Sequence, residues 1–90
     1  MNIERFEDLE AWQQARKLTN MIYDMVEANR FSRDFRLRDQ MTGAAVSVMN
    51  NIVEGFTGQS DREFIKFLGY ARRSTGEVQT CLYVALDRNY

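Results

Sequence analysis

The run RDQMTGAAVSVMNNIVEGF, from Arg38 to Phe56, puts small and amide side chains where an ordinary soluble helix carries bulky apolar or charged ones. Its apolar members Met41, Ala44, Ala45, Val48 and Ile52 recur at steps of three and four, which makes one helical stripe turned to a core. Beside that stripe stand Gly43, Ser47, Asn51 and Gly55, each four residues from the last. A ridge of small side chains lets a second helix come close, and Asn51 and Glu54 add polar groups that need partners if covered. The run therefore commits the chain to helix packed on helix.

The flanking segments carry the same period. The chain has no proline and few glycines, and no apolar alternation of strand type persists, so the spacing predicts an all-α domain over residues 1–90. A first helix is expected over about 8–28, with Leu9, Trp12, Ala15, Leu18, Ile22 and Met25 on one face. Glu7, Asp8 and Glu10 lie at the positive end of its dipole. The stretch NRFSRDFR breaks the period and reads as a connection with Phe31 and Phe35 tucked under the bundle. The second helix is expected over about 37–54, closed by Gly55 in a left-handed conformation. Ser60-Asp61-Arg62-Glu63 spells a capping box, in which the Ser60 hydroxyl and the Glu63 carboxylate satisfy free backbone N–H groups reciprocally. It opens a third helix over about 61–86 whose seam is Phe64, Leu68, Ala71, Thr75, Val78, Leu82 and Ala85, widened by Phe67, Ser74 and Cys81. These rods suit an antiparallel up-down-up array. Their stripes are too broad for three helices to hide, so a fourth element or a neighbouring subunit is expected to cover a groove.

Composition narrows the chemistry. Twelve basic residues against thirteen acidic ones exclude a protein that coats nucleic acid by bulk charge, though not a local patch. With no histidine and one cysteine, a zinc site, a disulfide framework and a His-based triad are all excluded within one chain. Cys81 falls within a helical pattern and reads as a small covered thiol in a reducing cytoplasm. The start MNIERFEDLEAW has neither the basic flank and apolar stretch of an export signal nor a membrane span. Glu54, Glu63 and Glu77 are the carboxylates to test as a metal site, but the bundle pattern needs Glu-x-x-His pairs, and Glu63 already serves the box; no metal or cofactor is expected. Ser47 and Ser74 have no base beyond carboxylates, and no Gly-rich phosphate loop is present, so neither an enzyme nor a small-molecule substrate is indicated.

The order FEDLEAWQQA, QMTGAAVSVMNNIVEGF, SDREFIKFLGYARRSTGEVQTCLYVALD resembles the four-helix-bundle family first described as proteins encoded in intervening sequences of bacterial 23S ribosomal RNA. Its wider circle includes the accessory variability proteins of diversity-generating retroelements. The match covers nearly the whole chain, through Phe6, Leu9, Trp12, Ala15, Gln40, Ala44, Ala45, Ser47, Asn51, Ile52, Glu54, Gly55, Ser60, Glu63, Phe64, Phe67, Leu68, Ala71, Ser74, Glu77 and Leu82. Three departures stand out. The family usually has arginine at the place of Gly43 and proline at that of Met49, and a fourth helix follows the third. The first departure removes a basic group, and the second removes a kink. The resemblance implies a bundle that assembles as a homo-oligomer, commonly a pentameric ring, with a binding role toward RNA or DNA and no established reaction.

On these grounds the candidate nucleic-acid residues are Arg30, Arg33, Arg36 and Arg38 in the first connection and Arg62, Lys66, Arg72 and Arg73 on helix three. One reading is a solvated face balanced by Asp34, Asp39 and Asp61. The other is a phosphate-contacting patch, repeated around a ring, with Phe31 or Phe35 available for stacking. Phe67, Tyr70 and Tyr83 are candidate interface anchors, with Tyr23 at a similar face boundary. Asn51, Glu54, Ser60, Glu63 and Glu77 are expected to be structural polar groups, Glu54 pairing with Arg72 or Arg73. An interaction module whose open groove accepts a partner helix, with no nucleic-acid role, is the alternative.

Overall fold

The computed structural model describes residues 3–90, the side chain of Asn29 excepted; Met1 and Asn2, which belong to the expected domain and to the start MNIERFEDLEAW, lie outside the described residues. The fold is all-α. Helix α1 spans Glu10–Val26, α2 Phe35–Thr57 and α3 Asp61–Asp87, with 3₁₀ turns at Phe6–Asp8 and Asn29–Arg33. No strand occurs among the described residues.

The helix ends show local chemistry that the period alone did not resolve. Helix α2 begins two residues earlier than its apolar stripe suggests, because the Asp34 carboxylate accepts a bond from the Leu37 N–H at 3.1 Å and caps it. It also runs past Gly55, which has no positive φ and closes nothing. Gly55 is there for proximity: a Cβ would sit 2.9 Å from Phe64 Cδ1, 3.0 Å from Phe67 Cβ and 3.2 Å from the Phe64 carbonyl oxygen. At the start of α3 the Ser60 hydroxyl accepts from the Glu63 N–H at 3.1 Å, but the Glu63 carboxylate makes no return bond, so half of the capping box forms. At its end Asn89 adopts φ 59°, while the Tyr90 N–H reaches the Ala85 carbonyl and the Asn89 N–H that of Leu86. That pair of bonds is a Schellman stop built on asparagine.

Helix α2 is the centre of the molecule. Both α1 and α3 pack along it, while the two outer helices scarcely touch each other. The envelope is 44 × 19 × 16 Å, and three helices in a row at about 10 Å spacing would need about 25 Å across their Cα atoms. The helices therefore occupy three corners of a square, leaving a groove between α1 and α3.

Small residues decide which faces meet. On α3 the buried line is Ala71, Ser74, Val78, Cys81 and Ala85, not the expected seam through Leu68, Thr75 and Leu82. Those three lie at its margin, and Leu68 is exposed. The residues expected to widen the seam instead form its middle, because Ser74 meets Ser47 of α2 across a 3.0 Å hydroxyl bond and Asn51 Nδ2 donates to the Ser47 hydroxyl and carbonyl. Helix α1 turns in the same sense. Ala15, Thr19, Ile22 and Val26 are buried, while Met25 is exposed and Leu18 half-buried. The Thr19 hydroxyl bonds the Ala15 carbonyl at 2.8 Å and lies 3.3 Å from the Ala45 carbonyl of α2. Gly43, fourth member of the small row, is exposed with open space around it and takes no part in this contact. No buried side-chain polar atom among the described residues lacks a partner, as close packing in a dry core demands.

Candidate nucleic-acid and joining surfaces

The first candidate surface is the end of the bundle where α1 stops, α2 starts and α3 finishes. The 3₁₀ turn Asn29–Arg33 aims Phe31 inward, where it is 1% exposed in the main apolar cluster with Ile22, Met41 and Val78. Phe31 is thus core and offers no stacking face. Phe35, the first residue of α2, is 65% exposed, so the expectation that it tucks under the bundle does not hold. The Arg38 guanidinium lies 5.5 Å from its ring centroid and donates to the Ser32 carbonyl at 3.0 Å.

Arg30 is committed elsewhere. It donates to the Arg88 carbonyl at 3.2 Å and lies 3.5 Å from that of Asn89, and its guanidinium covers the Tyr90 ring at 5.9 Å. Tyr90 stacks at 5.0 Å on Phe31 and donates its hydroxyl to Asp34 at 3.0 Å. That bond, together with partial burial and the Asp34 charge, raises the Tyr90 hydroxyl pKa above its usual value. Asp34 therefore uses one carboxylate oxygen on the α2 cap and the other on Tyr90. Arg33 and Arg36 are exposed and bond to nothing among the described residues. The sequence alone does not single out Tyr90, Asp34 and Arg88 as members of this end. Asp34 was findable as an N-cap residue before the apolar run, but Tyr90 and Arg88 join only through the antiparallel return of α3.

The other four basic candidates lie apart. Arg62 opens α3 and Arg88 follows it, so about 39 Å of helix separates them. Lys66 rests 5.7 Å from the Phe67 ring and Arg73 5.9 Å from the Tyr70 ring, while Arg72 is exposed near mid-helix. One chain does not bring the eight candidates into one patch. The pairing expected between Glu54 and Arg72 or Arg73 does not form either: among the described residues the single ion pair is Arg5 with Glu7, at 3.2 Å. Glu54, Glu63 and Glu77 are exposed, whereas Asn51 and Ser60 make the bonds given above. No cluster of potential metal ligands occurs among the described residues.

The second surface is the exposed flank of α3. Ile65 and Leu86 are 70% exposed and Tyr83 69%, with Leu68 also open and Leu82 half-buried against the core. Positions 65, 68, 82 and 86 fall on one heptad stripe, which carries apolar side chains at its two ends and Arg72, Thr75 and Gln79 between them. On α1, Leu18 is half-buried against the core and Met25 is exposed, while Met21 lies in a hollow with Trp12, Gln13, Arg16, Lys17 and Asn20 of the same helix. Elsewhere on α3, Phe67, packed against Gly55 of α2, and Tyr70 meet edge to face at 5.3 Å, with Tyr70 and Val84 partly exposed. Of the three aromatic interface candidates, Tyr83 is exposed, Tyr70 partly exposed, and Phe67 half-buried with its Cβ facing Gly55 of α2. No described helix is long and apolar enough to cross a membrane.

Neither the curated proteins nor the solved structures yield a match. The sequence model of the 23S rRNA-intervening sequence protein family matches residues 7–90, nearly the full chain, and the chain belongs to that family.

Proposed function

We propose that this member of the 23S rRNA-intervening sequence family is a non-enzymatic, cytoplasmic scaffold subunit that assembles with copies of itself and presents its arginine-rich end to RNA or DNA. The observation that carries the proposal is the apolar edge of α3. Ile65, Leu68, Tyr83 and Leu86 stand in solvent along one helix, and burying a side chain of this size contributes about 1.5–3 kcal/mol. The two apolar groups, Ile65 with Leu68 and Leu82 with Tyr83 and Leu86, are separated by Arg72, Thr75 and Gln79, and clusters of exposed large apolar side chains of this kind support a joining surface. Assembly then repeats the arginine end, so that contacts weak in one copy act together.

The resemblance makes a pentameric ring the first arrangement to test. Light scattering over a concentration series reads the subunit number, and a mass that stays monomeric at every concentration overturns the scaffold. Titration of labelled RNA and DNA at low and at physiological salt reads the second half. Affinity should fall as salt rises, since phosphate contacts release counterions; no binding at low salt removes the nucleic-acid role. The groove between α1 and α3 supports a second reading, in which a partner helix fills the fourth corner. An amphipathic peptide that raises the melting temperature without changing the mass of an assembly would favour it.

A further inference from the structure

We infer that the first turn of α2 is a stacking site for an unpaired nucleotide, with a base on Phe35 and the adjoining phosphates on Arg33 and Arg36. Such a site rests on the nucleic-acid reading above and adds to it the class of ligand: single strands rather than duplexes.

Three observations converge on Phe35. At this end Phe31 fills the core position and Tyr90 covers Phe31, whereas Phe35 is 65% exposed, as are Tyr23 and Tyr83 in part on the neighbouring helices, and of these three it is Phe35 that stands between Arg33 and Arg36 in the chain. Arg38 already lies over one face of its ring at 5.5 Å, which holds a positive charge on that side and leaves the other face for a base. The carboxylate nearest in sequence, Asp34, has its oxygens engaged by Leu37 N–H and the Tyr90 hydroxyl and forms no ion pair with Arg33 or Arg36, and neither has a partner among the described residues.

Charge at this end then selects the strand. Arg30, Arg33, Arg36, Arg38 and Arg88 face Glu27, Asp34, Asp39 and Asp87, which is nearly neutral in sum. A surface so balanced cannot hold a duplex by bulk attraction to its phosphates. A base stacked on an aromatic ring supplies affinity that does not depend on net charge, and only an unpaired base has a face to offer. Asp39 lies one helical turn after Phe35, so the phosphates are expected at Arg33 and Arg36 and not beside Asp39.

The test uses the full chain and a short labelled oligouridylate, alone and annealed to its complement. Wild type should bind the single strand more tightly than the duplex. Phe35→Ala, at an exposed position, should leave the circular dichroism unchanged and lower single-strand affinity at least about five-fold. Phe35→Trp should restore binding, and its added emission should be quenched by the oligonucleotide. Trp12 lies near the start of α1, at the other end of that helix, and should not respond. The double variant Arg33→Gln with Arg36→Gln should flatten the dependence of log affinity on log salt by about 0.7 for each phosphate no longer neutralised. If wild type binds no oligonucleotide, the nucleic-acid reading itself fails. If it binds but Phe35→Ala binds equally well and Phe35→Trp is not quenched, that reading stands and the stacking site is overturned. Equal affinity for duplex and single strand overturns it too.

Discussion

The Tyr90 hydroxyl donates to the Asp34 carboxylate at 3.0 Å, and this bond joins the return of α3 to the N-cap of α2. Neither residue could do this alone. Asn89 in the left-handed conformation turns the chain so that the Tyr90 ring lands on Phe31, and Arg30 closes over the outside. One carboxylate thereby serves a helix start and a tertiary clasp, and the two ends of a long α2–α3 hairpin are fixed together.

Tyr90→Phe keeps the ring on Phe31 but removes the hydroxyl bond. It should therefore lower the melting temperature modestly, and Tyr90→Ala should lower it further. The dependence on pH gives a sharper test. The hydroxyl pKa is raised in the folded state, so protonated Tyr90 favours the fold. Its contribution is fully present below the usual value of 10.0 and is lost as pH rises through the higher folded value. The gap in urea midpoint between wild type and Tyr90→Phe should hold through neutral pH and close above about pH 10.

Glycines in this chain differ in kind, and alanine substitution separates them. In a helix interior Gly→Ala ordinarily gains about 1 kcal/mol. Gly69→Ala and Gly76→Ala should each gain up to that amount, since a Cβ there meets nothing within 4 Å. At Gly55 the new methyl would press on Phe64 and Phe67, and Gly55→Ala should cost about 1–3 kcal/mol instead. Denaturant unfolding of the three variants gives the signs directly, and a stabilised Gly55→Ala would refute the account of this contact.

The all-α architecture was legible because period survives in a single sequence: three and four residues between apolar positions are enough to place each helix. The facing of α3 was not legible. Leu68, Leu82 and Thr75 make as good a stripe as Ser74, Cys81 and Val78, and hydropathy favours the leucines. What decides is that Ser74 can approach Ser47 and Asn51 closely, a preference that belongs to a pair of helices. For the same reason Gly55 reads from sequence as a stop signal, while in space it is a cleft for Phe64. The arginines of the candidate site were visible as a cluster in the first connection. Their division into committed Arg30 and Arg38 and unpaired Arg33 and Arg36 depends on where Tyr90 and Phe35 fall.

Cys81 lies in the α2–α3 contact and is 3% exposed. Burial first, and the charge of Glu77 second, raise its thiol pKa, and the thiolate is the reactive form. In the native protein at neutral pH the thiol should react slowly with a charged disulfide reagent, with a rate that follows unfolding as urea is added. A native rate equal to that of the denatured chain would mean that the contact opens freely, which close Ala71–Ser74–Val78 packing does not allow.

The double variant Ile65→Gln with Leu86→Gln tests the joining edge without touching the core, because each residue is 70% exposed. If the edge is covered by another copy, these side chains are buried in the assembly, and the two together amount to about 3–6 kcal/mol for each copy joined. The double variant should then fall to monomer mass at concentrations where wild type is assembled, while its helicity remains. The monomer itself should be no less stable, since in one chain these residues meet solvent in either form. A double variant that assembles as wild type does would place the joint elsewhere, with exposed Tyr70 and Val84 as the next residues to change.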